Sequence, residues 1–229
     1  MIEDPPLLVI DAGFARPAPA LVAALDGAAT GHVVDAQGGS GALDWTIKPL
    51  PGFEGRTLVG PALTCQAGPA DNLAVFGALE AARPGDVVVI ATDGHRGCAV
   101  IGDLLIGMLR NKGVAGVVTD GLARDLAGIV EVGLPGYAGG LGPNSPARNG
   151  PGTVGRPVDL GGRRVASGDI VVADRDGVVI VAREEADQVV TRLAEIRRAE
   201  AALTREVAGG LTTPSFMAEL LASARVRRL

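Results

Sequence analysis

The chain has 229 residues, a formal net charge of −5, 47% hydrophobic residues and only 3% aromatic ones. That length buries a sizeable core without disulfides or a structural metal, while the acidic balance and the scarcity of stacking rings argue against nucleic acid as a direct ligand. Two cysteines, an N-terminus without a basic start or a long apolar core, and no apolar run near the ~20 residues of a membrane span leave the cytoplasm as the expected compartment, with no membrane partner.

In chain order, an extended start leads to a helix over residues 19–26, where Leu21, Val22 and Leu25 have helical spacing and Gly27 ends it. Residues 31–51 read as a Gly-rich loop region around the single Trp45. A strand follows at 56–65, then a helix at 71–82 with Asp71 as its N-cap and Pro84-Gly85 as its stop, then the strand 86–91. A helix at 102–112, a strand at 114–119 and a helix at 124–132 continue the alternation, which predicts βαβ units and a parallel sheet.

Residues 133–156 have no periodicity and read as a long surface connection with one short strand at 134–138. Runs at 157–160, 163–166, 169–173 and 177–181, separated by turn residues, predict short strands in a β-rich second layer. The tail, 183–207, is a charged amphipathic helix with Val189, Leu193, Ile196 and Leu203 on one side, an apolar face that calls for burial. A short helix over 214–224 comes last, and Arg225, Arg227 and Arg228 read as its solvated end.

The chemistry concentrates between residues 102 and 125. Gly102, Asp103, Leu104 and Leu105 open one helix, whose free N–H groups make a ready carboxylate or phosphate site, although Asp103 alone also reads as a plain N-cap. Arg124 and Asp125 open the next helix. With only the strand 114–119 between them, both helix starts are expected at the same edge of the sheet, where ligands bind in layered α/β folds. A cation and an anion there can hold an anionic substrate and a divalent metal, or can form nothing more than a surface ion pair. His32 and His95 make no zinc signature, Cys98 reads as an inert thiol rather than a nucleophile, and no GxSxG elbow is present.

Five stretches, GPALTC (60–65), DNL (71–73), PGDVVVI (84–90), Asp103 spaced from Arg124-Asp125, and GDIVVADRDGVVIV (168–181), resemble the family of RraA-type ribonuclease regulators and 4-hydroxy-4-methyl-2-oxoglutarate aldolases. The resemblance implies a layered β/β/α fold of the swivelling type: an α/β domain over 1–182, with 183–229 as its C-terminal helical tail at a subunit interface of a trimer or hexamer. For the aldolases it implies that Arg124 grips a pyruvyl group, Asp125 anchors Mg²⁺ or Mn²⁺, Asp103 orients water at the metal, and the amides after Gly102, those of Leu104 and Leu105, receive the substrate carboxylate. A glutamate from a neighbouring subunit completes such sites, and Glu200 is the match, with Glu195 the alternative.

The pattern departs at Gly128, where aldolases carry Glu or Asp and regulators lack the acid. The expected function is a metal-dependent C–C lyase that releases pyruvate from a small 2-oxo acid by aldol cleavage or oxaloacetate decarboxylation. The alternative is a non-catalytic regulator that binds a protein partner such as a ribonuclease.

Overall fold

A computed structural model describes residues 4–227, so Arg228 of the terminal basic run lies outside them. The N-terminal third comprises β1 (Leu8–Ile10), α1 (Pro19–Leu25), α2 (Thr30–Ala36), β2 (Lys48–Pro49), β3 (Leu58–Gln66) and α3 (Leu73–Ala81). The middle comprises β4 (Val87–Ala91), β5 (Ala99–Ile101), α4 (Asp103–Asn111), β6 (Gly116–Thr119), β7 (Leu122–Ala123), α5 (Leu126–Val132) and β8 (Gly136–Ala138). The remainder comprises β9 (Gly152–Val154), β10 (Val158–Leu160), β11 (Arg163–Val165), β12 (Ile170–Asp174), β13 (Gly177–Val181), α6 (Ala186–Ala208) and α7 (Ser215–Ala222).

The main sheet runs β1-β9-β3-β4-β6-β8-β2, and its centre, β3-β4-β6-β8, is parallel. Every residue of β4 is buried, as a strand covered on both faces requires. Strand β3 belongs to two layers at once. Its first half pairs antiparallel with β12 (Leu58 opposite Ala173, Pro61 opposite Ile170), and its second half pairs parallel with β4 from Ala62 onward. Gly60 stands at the changeover, where an added Cβ would lie 2.3 Å from the Gly85 carbonyl oxygen.

Three cores follow from this arrangement. Leu63, Val88, Ile90 and Val117 meet α3, α4 and α5 through Val75, Ile106, Leu109 and Ile129. The opposite sheet face, with Ala62, Val87, Val89 and Val118, packs on Val158, Leu160, Val171 and Ala173 of the second β layer. The far face of β12 and β13 is covered by Leu25, Val33, Val189 and Leu193 of α1, α2 and α6. The result is a mixed α/β domain with a C-terminal helix, in which the β/β/α stack carries a further helical layer.

Several expectations are corrected here. The 31–51 stretch is not all loop: α2 forms at its start, because Asp174 accepts from the Thr30 N–H (2.9 Å) and hydroxyl (2.8 Å) while Val33 and Ala36 are buried. Asp71 is not the cap of α3, since Asn72 holds that position; the Asp71 carboxylate instead accepts from Leu73, Asn149 and Gly150 N–H groups. The stretch 133–156 contains β9 as well as β8. The apolar face of α6 is largely covered within its own chain, with Val189 and Leu193 buried and Ile196 packed on the same core, whereas Leu203 remains 46% exposed.

One buried ion pair ties the N-terminal segment to this frame. Arg16 forms a two-pronged contact with Asp86 (Nε to Oδ1 2.8 Å, Nη2 to Oδ2 2.6 Å), and Asp86, 1% exposed, also accepts from the Arg83 N–H. Removing one partner leaves the other charge buried and unmatched. Asp86→Ala is expected to cost about 3 kcal/mol, seen as a fall of roughly 6–12 °C in the melting midpoint. An unchanged midpoint would mean that Arg16 relaxes to water without penalty.

Candidate active site

Two very short strands bring the functional residues together. β5 and β7 pair in parallel, with Ala99 opposite Leu122 and Ile101 opposite Ala123, and the Arg124 N–H donates to the Ile101 carbonyl at 3.1 Å. Each strand runs directly into a helix start, so Gly102-Asp103 and Arg124-Asp125 emerge side by side. Both pairs line one cleft of about 330 Å³, together with Leu104 and Leu105.

The helix starts differ from simple caps. Gly102, extended at φ −147°, is the cap residue of α4, and Asp103 is the first residue inside the helix. Asp103 Oδ1 accepts from the Leu104 N–H at 2.7 Å, which leaves the Leu105 N–H as the amide of that pair without a protein acceptor among the described residues. Asp125 caps α5 in the left-handed region (φ 58°, ψ 42°) with no side-chain cap bond. A non-glycine residue held there is strained by ~1–3 kcal/mol, and such strain collects at functional positions.

Its carboxylate, half exposed, has Oδ2 3.2 Å from Arg124 Nε. Arg124 Nη1 donates to the Ser145 hydroxyl. A pair this exposed adds little to stability, so folding alone does not account for the arrangement.

Gly102 also keeps space open before Asp125. An added Cβ there would lie 3.0 Å from Asp125 Oδ2 and 3.4 Å from Arg124 Nε. Hard carboxylate oxygens beside an open space suit Mg²⁺ or Mn²⁺, which are commonly held by one or two carboxylates plus water and substrate. Asp103 and Asp125 fit that description. Among the described residues no group of three or more His, Cys, Asp or Glu side chains could hold a metal alone, so further ligands would come from substrate, water or a second chain.

Glu200 is not in this cleft. It sits exposed on α6 with Oε1 3.9 Å from His32 Nε2, and Glu195 is exposed on the same helix. His95 folds over Gly97 and does not line the cleft. Both cysteines are buried; desolvation raises the Cys98 thiol and pushes that of Cys65 far above its ordinary value, so neither is a ready thiolate.

The cleft also contains Asn72, Phe76, Ser145 and Arg148, none of which sequence reasoning assigned to the site. Asn72 belongs to the DNL stretch, a signal that was present. Ser145 and Arg148 lie in the aperiodic run 133–156, which offers no such signal. Asn72 Nδ2 donates to the Val100 carbonyl at 3.2 Å, which orients the amide, and its buried Oδ1 has no partner among the described residues.

A family model described as RraA-like, Aldolase/RraA, matches residues 22–180. A Halalkalibacterium halodurans protein named "Putative 4-hydroxy-4-methyl-2-oxoglutarate aldolase" is 36% identical over 160 residues, covering 70% of this chain and 75% of its own. Streptomyces coelicolor RraAS2, described as an unusual member of the RNase ES inhibitor RraA protein family, superposes with a TM-score of 0.74 at 29% identity, covering 83% of this chain and all of its own. An uncharacterized Pseudomonas syringae protein superposes at 0.76 with 26% identity, over 87% of this chain and 97% of its own. The chain belongs to the RraA-like, Aldolase/RraA family.

The departure at Gly128 has a local physical reason in this chain. A Cβ at 128 would lie 2.6 Å from Asp103 Oδ2 and 2.7 Å from Asp103 Cβ, so α5 approaches α4 closely at this point. The Asp103 Cβ is anchored to its backbone and cannot swing aside. Gly128→Ala is therefore expected to destabilise by about 1–3 kcal/mol through overpacking, against a helix-propensity gain of about 1 kcal/mol. The net loss should disappear in an Asp103→Gly background. Thermal melts of the single and double variants read this, and a stabilised Gly128→Ala protein would contradict the close approach.

Proposed function

We propose that this family member is a divalent-metal-dependent C–C lyase that releases pyruvate from a small 2-oxo acid, of the 4-hydroxy-4-methyl-2-oxoglutarate aldolase or oxaloacetate decarboxylase type. The observation that carries the reading is the gathering of Arg124, Asp125 and Asp103 in one cleft where β5 and β7 end. The aldolase names of relatives such as the Halalkalibacterium protein support the reaction class.

In this reading the substrate carboxylate meets the N-terminus of α4 at the Leu105 amide, where free N–H groups and the helix dipole favour an anion. Arg124 points its planar fork at the pyruvyl oxygens, its orientation set by Asp125 and Ser145. Cleavage sends the electrons of the breaking C–C bond into the pyruvyl fragment as an enolate, and the guanidinium stabilises the charge that develops on oxygen. Asp125 would hold Mg²⁺ or Mn²⁺, and the bound cation would act as a Lewis acid toward the 2-oxo group. Asp103 holds water and relays protons: in aldol cleavage the 4-hydroxyl gives up its proton as that carbon becomes the carbonyl of the second fragment, in decarboxylation carbon dioxide leaves and water supplies the proton, and in both the enolate carbon is protonated to the methyl group of pyruvate.

The same reading takes the protein to be a cytoplasmic trimer or hexamer in which Glu200 of one copy completes the cleft of another. Support comes from the position of Glu200 outside its own cleft and from exposed apolar residues at the cleft, Leu104 (77% exposed) and Met108 (44% exposed).

A second reading, a non-catalytic regulator of a protein partner such as a ribonuclease, is favoured by Gly128 standing where aldolases carry an acid and by the likeness to the Streptomyces protein. Pyruvate release from oxaloacetate and from 4-hydroxy-4-methyl-2-oxoglutarate, with EDTA and after adding back Mg²⁺ or Mn²⁺, separates the two readings. The lyase reading expects metal-restored turnover that falls on the order of a hundredfold in Arg124→Ala and Asp125→Ala, with melting unchanged. It also expects poor rescue by Arg124→Lys. No release under any metal condition would favour the regulator, and full activity in Arg124→Ala would remove the site assignment.

A further inference from the structure

Arg124 is not the only guanidinium in the cleft. Arg148 lines it too, with its guanidinium carbon 5.0 Å from the centroid of the Phe76 ring. The two differ in one respect that matters. Arg124 already engages Asp125 and Ser145, whereas Arg148 has no acidic group within 4.0 Å and no side-chain hydrogen bond among the described residues.

An unspent cation on a loose loop would be ordinary surface. This one is not on a loose loop. On one side the Ala147 N–H donates to the Ala70 carbonyl (2.8 Å) and the Ala147 carbonyl accepts from Asn72 (3.0 Å); on the other, Asp71 Oδ2 accepts from Asn149 (2.5 Å) and Gly150 (3.1 Å). The backbone is thus pinned on both sides of Arg148 to the residues that precede α3. Asp71, the nearby acid, is buried and committed to these amides. The contact with the Phe76 ring places the guanidinium over an aromatic face and uses none of its N–H groups, which stay available to a ligand.

We propose that Arg148 selects 2-oxo dicarboxylic acids by binding the carboxylate distal to the pyruvyl group that Arg124 receives. This rests on the lyase reading. The planar fork of Arg148 accepts a carboxylate bidentately, which a monocarboxylic 2-oxo acid cannot exploit.

The test has a turnover arm and a binding arm. In the first, kcat/KM is measured for 4-hydroxy-4-methyl-2-oxoglutarate and for 4-hydroxy-2-oxopentanoate, which lacks the distal carboxylate. In the second, calorimetry compares 2-oxoglutarate with 2-oxobutanoate in the presence of Mg²⁺. The wild type is expected to prefer the dicarboxylate in both arms, and Arg148→Ala to reduce that preference ratio on the order of 10–100-fold, mainly through KM. Arg148→Lys should retain part of the preference, and Arg124→Ala should weaken both members of each pair.

A wild type without preference, or an Arg148→Ala protein with its ratio intact, overturns the proposal. Absence of turnover with retained, Arg148-dependent binding preference would sink the lyase reading while upholding the distal subsite. Absence of binding by either ligand would overturn both.

Discussion

The site depends on the parallel pairing of β5 with β7. These strands are three and two residues long, too short to be stable on their own, and they persist because Val100, Ile101 and Ala123 are buried in the core that the sheet shares with α3, α4 and α5. Their pairing, with the Arg124 amide on the Ile101 carbonyl, determines that two segments twenty residues apart turn into helices at the same place. From that single register follow the closeness of Asp103 to α5, the Arg124–Asp125 contact and the shared cleft. In layered α/β folds, ligands sit at the carboxyl ends of strands, and here the strand ends in question belong to this small accessory pair.

Glycine governs how tightly the two helix starts can meet. Gly102 leaves room in front of the Asp125 carboxylate, and Gly128 lets the Asp103 side chain lie against α5. Neither position uses a left-handed backbone; both are about missing side-chain volume. The strain in this region sits instead at Asp125, which holds a left-handed backbone, makes no side-chain cap bond and contacts Arg124. An exposed ion pair repays little of that strain, and a positioned charge in a cleft gives it a purpose.

Much of this was legible in the sequence, and the rest was hidden for identifiable reasons. The buried strands were readable because runs such as Val87–Ala91 are uniformly apolar, here directly after the Pro84-Gly85 turn. The helix starts were readable from Asp103 and Arg124-Asp125. Strands β5 and β7 were not, because Ala-Val-Ile and Leu-Ala carry no periodicity and their partner is non-local. Helix α2 was masked by its Gly-rich surroundings and is capped by Asp174, which lies 144 positions away.

That one miss had a consequence at the other end of the chain. Without α2 the apolar face of α6 is only partly covered, by α1 and the β12–β13 face, and burial by another subunit is the natural expectation; with α2 in place as well, Val189 and Leu193 are buried at home. Ser145 and Arg148 escaped for a different reason. Their position is set by the hydrogen bonds of a loop to the residues before α3, which no local pattern announces.

If Asp103 and Arg124 act in one reaction step because the β5–β7 register brings them together, their contributions cannot be independent. A double-mutant cycle on kcat/KM for pyruvate release, using Asp103→Ala, Arg124→Ala and the double variant, measures this directly. The account predicts that the double variant loses little more than the worse single variant. Losses that multiply would mean the two residues act separately, and the shared site would not stand.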